Sequence, residues 1–196
     1  MSSGAERDGV SLTNLDQPLF DGAEATKGDL VDYLDAMSER IVPVLTDRPL
    51  SVVRVRPGQP SFMQKNLPKY APSWIERVTI WAESSRRDVT YALCNDRRTL
   101  LWFGNQRAVE YHPTLVLAER WDRQTHLVID IDPPDAEAFA LAAEAALLVR
   151  RVLGDIGLEG VVKTSGAKGV HVFVPVDRDD LTLEDHAAAT RAITAR

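Results

Sequence analysis

The chain has 196 residues, 44% apolar and 27% charged, with a formal net charge of −6. That length holds one domain with a sizeable core or two small subdomains sharing one. No stretch approaches the roughly 18 uncharged apolar residues of a membrane span, no basic and apolar leader opens the chain, and the single cysteine, Cys94, excludes a disulfide framework and a cysteine-based zinc cluster. A soluble, reduced, cytoplasmic protein is expected.

Residues 1–9 read as a flexible terminus, and residues 10–196 as the folded domain. Thr26-Lys27-Gly28-Asp29 has the form of a capping box. Leu30, Tyr33, Leu34, Met37 and Ile41 then recur at helical spacing, predicting a helix over about 27–41 that Pro43 and Pro49 bracket at its exit. Leu50–Val55 is β-branched, with Arg54 and Arg56 on one face of a strand. Five glycines and prolines make 57–73 largely loop, carrying Ser61-Phe62-Met63-Gln64-Lys65-Asn66. Val78–Ala82 and Val89–Leu93 are short strands around a turn with Arg86 and Arg87. A helical turn follows near Thr99–Gln106, then a strand-like stretch to Leu117 broken by Pro113.

The C-terminal half has the clearest pattern. His126–Asp132 is a strand ended by Pro133-Pro134, and Asp135 can cap an alanine-rich helix over about 136–153 that Gly154 stops. Val161–Thr164 and Val170–Val176 are strands joined by Ser165-Gly166-Ala167-Lys168-Gly169. A last helix begins near Leu183, capped by Thr182. Strands and helices in this order predict an α+β sandwich. Charge is uneven along it: residues 1–46 balance to −6, residues 47–107 to +6 and residues 108–196 to −6. From charge alone the basic middle reads as a solvated arginine-rich face, although such a segment can also meet a phosphate backbone locally.

Three groups of residues could carry chemistry. Asp130 and Asp132 alternate along a strand, so both carboxylates share one face while Leu127, Ile129 and Ile131 take the other. Such a pair suits Mn2+ or Mg2+, or is simply a polar strand end. Val170, Val172, Val174 and Val176 face the core, so His171 and Phe173 turn to the polar side. The preceding glycine turn offers backbone N–H groups and the Lys168 ammonium to a polyphosphate, or is an ordinary hairpin turn. Trp102-Phe103-Gly104-Asn105 with His112 is suggestive only, and equally reads as a core aromatic pair beside a surface amide.

In order along the chain, Leu12-Thr13-Asn14 with Thr26-Lys27, Phe62-Met63-Gln64-Lys65-Asn66, Trp102…Asn105…His112, His126–Pro133 and Ser165–His171 resemble the polymerase domain of bacterial ATP-dependent DNA ligase D and its actinobacterial stand-alone relatives, within the archaeo-eukaryotic primase superfamily. The resemblance implies a primase-like core of mixed sheets flanked by helices. It also implies a template-directed nucleotidyltransferase, adding nucleotides at DNA ends or gaps in repair and end joining with two divalent metals, Mn2+ or Mg2+. It assigns Asp130 and Asp132 to the metals. The incoming nucleotide goes to Ser165, Lys168 and His171, with His112 near its sugar and Arg54 in the same binding set. DNA goes to Asn14 and Lys27 as a pocket for a downstream 5′-phosphate, and to Phe62, Met63, Lys65, Asn66 and Asn105. Implied partners are DNA with ends, gaps or overhangs, nucleoside triphosphates, a DNA ligase and bacterial Ku, with no membrane.

Departures from the family pattern are visible. A lysine usual soon after Leu-Thr-Asn is Gln17 here, and the second phenylalanine of the loop is Met63. Family members also continue past the position of Arg196 to a third metal-binding aspartate, so the chain reads as truncated. None of Asp177, Asp179, Asp180, Glu184 and Asp185 is given that role. The alternative is therefore a catalytically impaired DNA-end-binding module. A glycosyltransferase using Asp130 and Asp132 would leave the Ser165–His171 turn unexplained.

Overall fold

Two separate apolar clusters organise the chain, one in residues 1–114 and one in residues 115–196. Each unit thus buries its own core, where the length alone allowed a shared one. The computed structural model describes residues 5–83, 86–176 and 180–195.

The first unit opens with β1 (Ala5–Arg7) and β2 (Val10–Leu12), an antiparallel hairpin anchored by buried Val10 and Leu12. The terminus expected to fray is therefore strand from Ala5 onward. Helix α1 (Lys27–Ala36) starts at the expected box, where Thr26 Oγ1 accepts from the Asp29 N–H and the Asp29 carboxylate accepts from the Thr26 N–H. The single helix expected to residue 41 is two. The chain breaks at Met37 and restarts as α2 (Ser38–Leu45), which keeps Pro43 inside it. Pro43 has no N–H, so α2 forgoes one i→i−4 hydrogen bond there.

Strand β3 (Leu50–Arg56) is the centre of the main sheet. β4 (Gln59–Gln64) pairs along one side of it and β7 (Ala108–Pro113) along the other. At Leu50 it also meets β6 (Arg87–Ala92), which pairs with β5 (Arg77–Ala82). β4 corrects the loop expected over 57–73. Gly58, at a φ of +70°, closes the turn from β3, and Pro60 is tolerated because β4 is an exposed edge strand. Helix α3 (Arg97–Asn105) is capped by Asp96 and buries Leu100 to Phe103. Trp102 and Phe103 meet edge to face at 5.1 Å between ring centres, so this aromatic pair is core. Gly104 lets α3 touch α1: a Cβ there would lie 2.8 Å from Leu34 Cδ1.

In the second unit β8 (Val116–Leu117) and β9 (Arg120–Gln124) form a short hairpin. A second sheet has the order β10 (His126–Ile131), β12 (Val170–Pro175), β11 (Val161–Thr164). Every pairing among the described strands is antiparallel. Helix α4 (Phe139–Asp155) runs past Gly154, and the left-handed residue beyond its end is Gly157, at a φ of +73°. Asp135 accepts from the Ala138 N–H just ahead of it. Helix α5 (Leu183–Thr194) begins at a Thr182–Asp185 capping box. Leu127, Ile129, Val172, Val174, Leu153 and Ile193 make the core. Among the described residues no helix is long and apolar enough to cross a membrane.

Candidate functional site

Register decides what the second unit's sheet presents. Antiparallel pairing sets Asp130 of β10 directly opposite His171 of β12, with Val128 opposite Phe173 on the same face. The buried residues of both strands take the other face. His171 Nε2 lies 3.3 Å from Asp130 Oδ1, and the Asp130 side chain is 62% exposed. Asp132, also exposed, follows the end of β10. The turn between β11 and β12 comes to it closely: a Cβ on Gly169 would run into the Ile131 carbonyl and lie 2.7 Å from Asp132 Oδ1. Glycine is required there because the obstacle is backbone.

Ser165 organises that turn. Its Oγ accepts from the Ala167 and Gly169 N–H groups at 3.2 and 3.0 Å, and its own N–H donates to the Gly169 carbonyl. Two of the amides expected to face a phosphate are therefore spent inside the loop, while the Ser165 hydroxyl proton remains to be donated. Lys168 Nζ donates to the Pro134 carbonyl at 3.4 Å, drawing its ammonium over the exit of β10. One end of one sheet thus gathers Asp130, Asp132, His171, Ser165 and Lys168. The two carboxylates fit a hard divalent cation, whose remaining ligands would be water or phosphate oxygen. Among the described residues no group of three His, Cys, Asp or Glu side chains is assembled as a metal centre. Asp185 is spent on its capping box, and Asp177 and Asp179 lie outside the described residues.

The first unit holds the other predicted residues in two places. Lys27 is 4% exposed, its ammonium donating to the Thr13 carbonyl and hydroxyl. Burial, with the positive charge of Arg107 beside it, lowers its pKa to about 8. Asn14, at a φ of +52°, follows Thr13. Asn105 fixes this segment at both ends of its amide, accepting from the Thr13 N–H and donating to the Ser11 carbonyl. It positions the segment that carries Asn14.

The second place is β4. Phe62 pairs with Arg54 and Met63 with Val53, so these adjacent side chains point to opposite faces of the strand. Only Phe62 is flanked by cations, with Arg54 and Arg56 5.5 and 5.8 Å from its ring centre. Arg54 is buried and donates to the Gln106 carbonyl and amide oxygen, Gln64 Oε1 and the Tyr70 hydroxyl. Its guanidinium is thereby held in place under Phe62. Lys65 is exposed beyond the strand end, and Asn66 Oδ1 accepts from the Thr90 N–H, tying the loop to β6. On β7, His112 and Glu110 share an exposed face, 2.9 Å apart. Sequence reasoning placed Arg56 on a strand face with Arg54 but gave it no role, and passed over Arg107 and Gln106, because no local pattern marks residues that meet only through the fold.

An α+β chain with paired strand carboxylates beside a serine-lysine-histidine hairpin, and a basic aromatic edge elsewhere, belongs with the phosphoryl-handling enzymes. Residues 26–196 match the family model of the LigD primase-polymerase domain. The chain belongs to that family, whose members are nucleotidyltransferases. It is 33% identical over 187 residues to the bifunctional non-homologous end joining protein LigD of Bacillus subtilis, covering 94% of this chain and 29% of that protein. It is 35% identical to the multifunctional non-homologous end joining DNA repair protein LigD of Mycobacterium tuberculosis H37Rv, covering 90% and 24%. The solved polymerase domain from Mycobacterium tuberculosis ligase D in complex with DNA superposes with a TM-score of 0.78 at 33% identity, over 86% of this chain and 62% of that one. The chain thus spans about a quarter of the length of the curated relatives it matches.

Proposed function

We infer that the chain is a primase-polymerase that adds nucleotides to DNA ends or gaps, in the repair reaction named for its relatives. The observation that carries this reading is the β10–β12 register, which brings Asp130, His171 and the Gly169 turn against Asp132 at one sheet end. Asp130 and Asp132 would hold Mn2+ or Mg2+, which would neutralise charge on the nucleotide phosphates and lower the pKa of the primer 3′-hydroxyl. Lys168 and the Ser165 hydroxyl bind triphosphate oxygens, and His171 donates to the same group once it leaves Asp130. His112 serves the sugar. Phe62, steadied by Arg54 and Arg56, stacks on an unpaired base, and Lys65 meets the backbone. Asn14 and Lys27 take a 5′-phosphate. A DNA ligase and bacterial Ku are the partners this role calls for, and the cytoplasm its place.

Primer extension on gapped DNA with labelled nucleotide and Mn2+, beside a gel shift on the same DNA, tests this reading. Extension by the chain that Asp132→Ala abolishes is the expected result. Binding without extension would instead favour the second reading, an impaired end-binding module.

A further inference from the structure

Three cations of the first unit, Lys27, Arg107 and Arg56, lie near one another and form no ion pair among the described residues. Arg107 Nη2 donates to Gln17 Oε1 at 2.6 Å and Nη1 to the Pro18 carbonyl at 2.8 Å. The Gln17 carbonyl in turn accepts from the Lys27 N–H at 2.9 Å, so the guanidinium is anchored on the residue that neighbours Lys27. The charges feel one another: Arg107 helps lower the pKa of Lys27, and Arg56 that of Arg107. Among the described residues none of the three makes an ion pair or hydrogen bond with a carboxylate. Asp21, in the same loop, is turned to the Gly58 N–H.

Backbone strain accompanies the cluster. Arg107 sits at a φ of +62° and Asn14 at +52°, both in the left-handed region that non-glycine residues enter at a cost. A fold that places Arg107 there, half-exposed, against a buried lysine and an exposed arginine gives Arg107 and Lys27 hydrogen bonds to neutral oxygens but none of the three a counter-ion among the described residues. Their arrangement is that of an anion site. We propose that Arg107, immediately before β7, is a phosphate-binding residue of this chain, a second cation beside Lys27, with Gln17 as the residue that positions it. The ligand is the terminal phosphate monoester of a DNA strand, a planar fork of donors matching its oxygens. Arg56, which also faces Phe62, extends the positive track toward the base platform.

The inference rests on the reading of Asn14 and Lys27 as a 5′-phosphate pocket, and the test separates the two. Fluorescence anisotropy with gapped DNA carrying either a 5′-phosphate or a 5′-hydroxyl gives a ratio of affinities. Wild type should prefer the phosphate roughly tenfold. Arg107→Gln should bring the ratio to about 2 and reduce the salt slope on phosphorylated DNA by about one, Arg107→Lys should keep part of the preference, and Gln17→Lys added to Arg107→Gln should restore it. A wild-type ratio near one would overturn the pocket itself. A wild-type preference that Arg107→Gln leaves intact would overturn only the role of Arg107. Should Arg107→Gln melt far below wild type, Gln17→Ala, which removes the anchor and no charge, should still lower the ratio about threefold, and an unchanged ratio would overturn the inference.

Discussion

Two charged regions of the first unit are built on opposite terms. Between α1 and α3, Arg97 grips Asp35 with two nitrogens, Arg7 reaches Asp32 and Asp35, and Asp8 closes on Arg97. Around Gln17, Lys27, Arg107 and Arg56 have each other and neutral oxygens. The pKa values follow. The hydrogen bond from Arg97 holds Asp35 below the usual carboxylate range, whereas burial pushes Lys27 down to about 8. The charges of the first region are matched by ion pairs inside the fold, whereas Lys27 and Arg107 meet only neutral oxygens. Asp130 and Asp132 of the second unit are exposed carboxylates, and Asp130 lies 3.3 Å from His171 Nε2.

The strongest way to break this contrast is at the carboxylates. Asp132→Ala should lower Mn2+-dependent primer extension by about 100-fold or more while the apo melting temperature holds, because an exposed carboxylate contributes no packing. A large drop in melting temperature would make the pair structural.

Gly169→Ala should come next. The added methyl meets the Ile131 carbonyl, which cannot yield without moving β10, so stability should fall by roughly 2 kcal/mol. Gly166→Ala, with open space around it but a φ of +89°, should cost only about 1 kcal/mol. Chemical denaturation of the two variants gives the comparison directly.

Lys27→Met should stabilise the free protein by about 1 kcal/mol at pH 7. Lys27 is charged in the unfolded chain up to its ordinary pKa of 10.5 but in the folded one only up to about 8. Its burial penalty is therefore complete below pH 8 and disappears as pH rises from 8 toward 10.5. The advantage of methionine should fade over that interval, and the same variant should lose 5′-phosphate preference. Asp35→Ala should act in the opposite sense and least, costing about 0.5–1 kcal/mol at neutral pH. Because the Asp35 pKa is depressed, that contribution is present above about 3.8 and lost as pH falls below it, which melting curves from pH 7 to pH 2 would show.

Local rules made much of this legible. Thr26-x-x-Asp29 and Thr182-x-x-Asp185 start helices because the cap closes within four residues, and period-two alternation put Asp130, His171 and the valines on their proper faces. Where sequence reading failed, partners from far along the chain decided. Gln59–Gln64 is strand because β3 supplies its hydrogen bonds, although its composition is that of a loop. Arg120–Gln124 carries no apolar alternation and is strand by pairing with β8. Residues 5–7 are ordered because β2 lies beside them.

The site divides in the same way. Residue patterning singled out the carboxylates and the hairpin turn, which lie in contiguous motifs, and the family resemblance added Lys27. Only the tertiary structure showed that Arg54 is buried in a hydrogen-bonded frame, that Phe62 and Met63 diverge, and that Arg107 stands 90 positions along the chain from the glutamine that holds it. Spacing along a strand or helix fixes which face a residue takes, but which charges are left without partners depends on every segment the fold brings near.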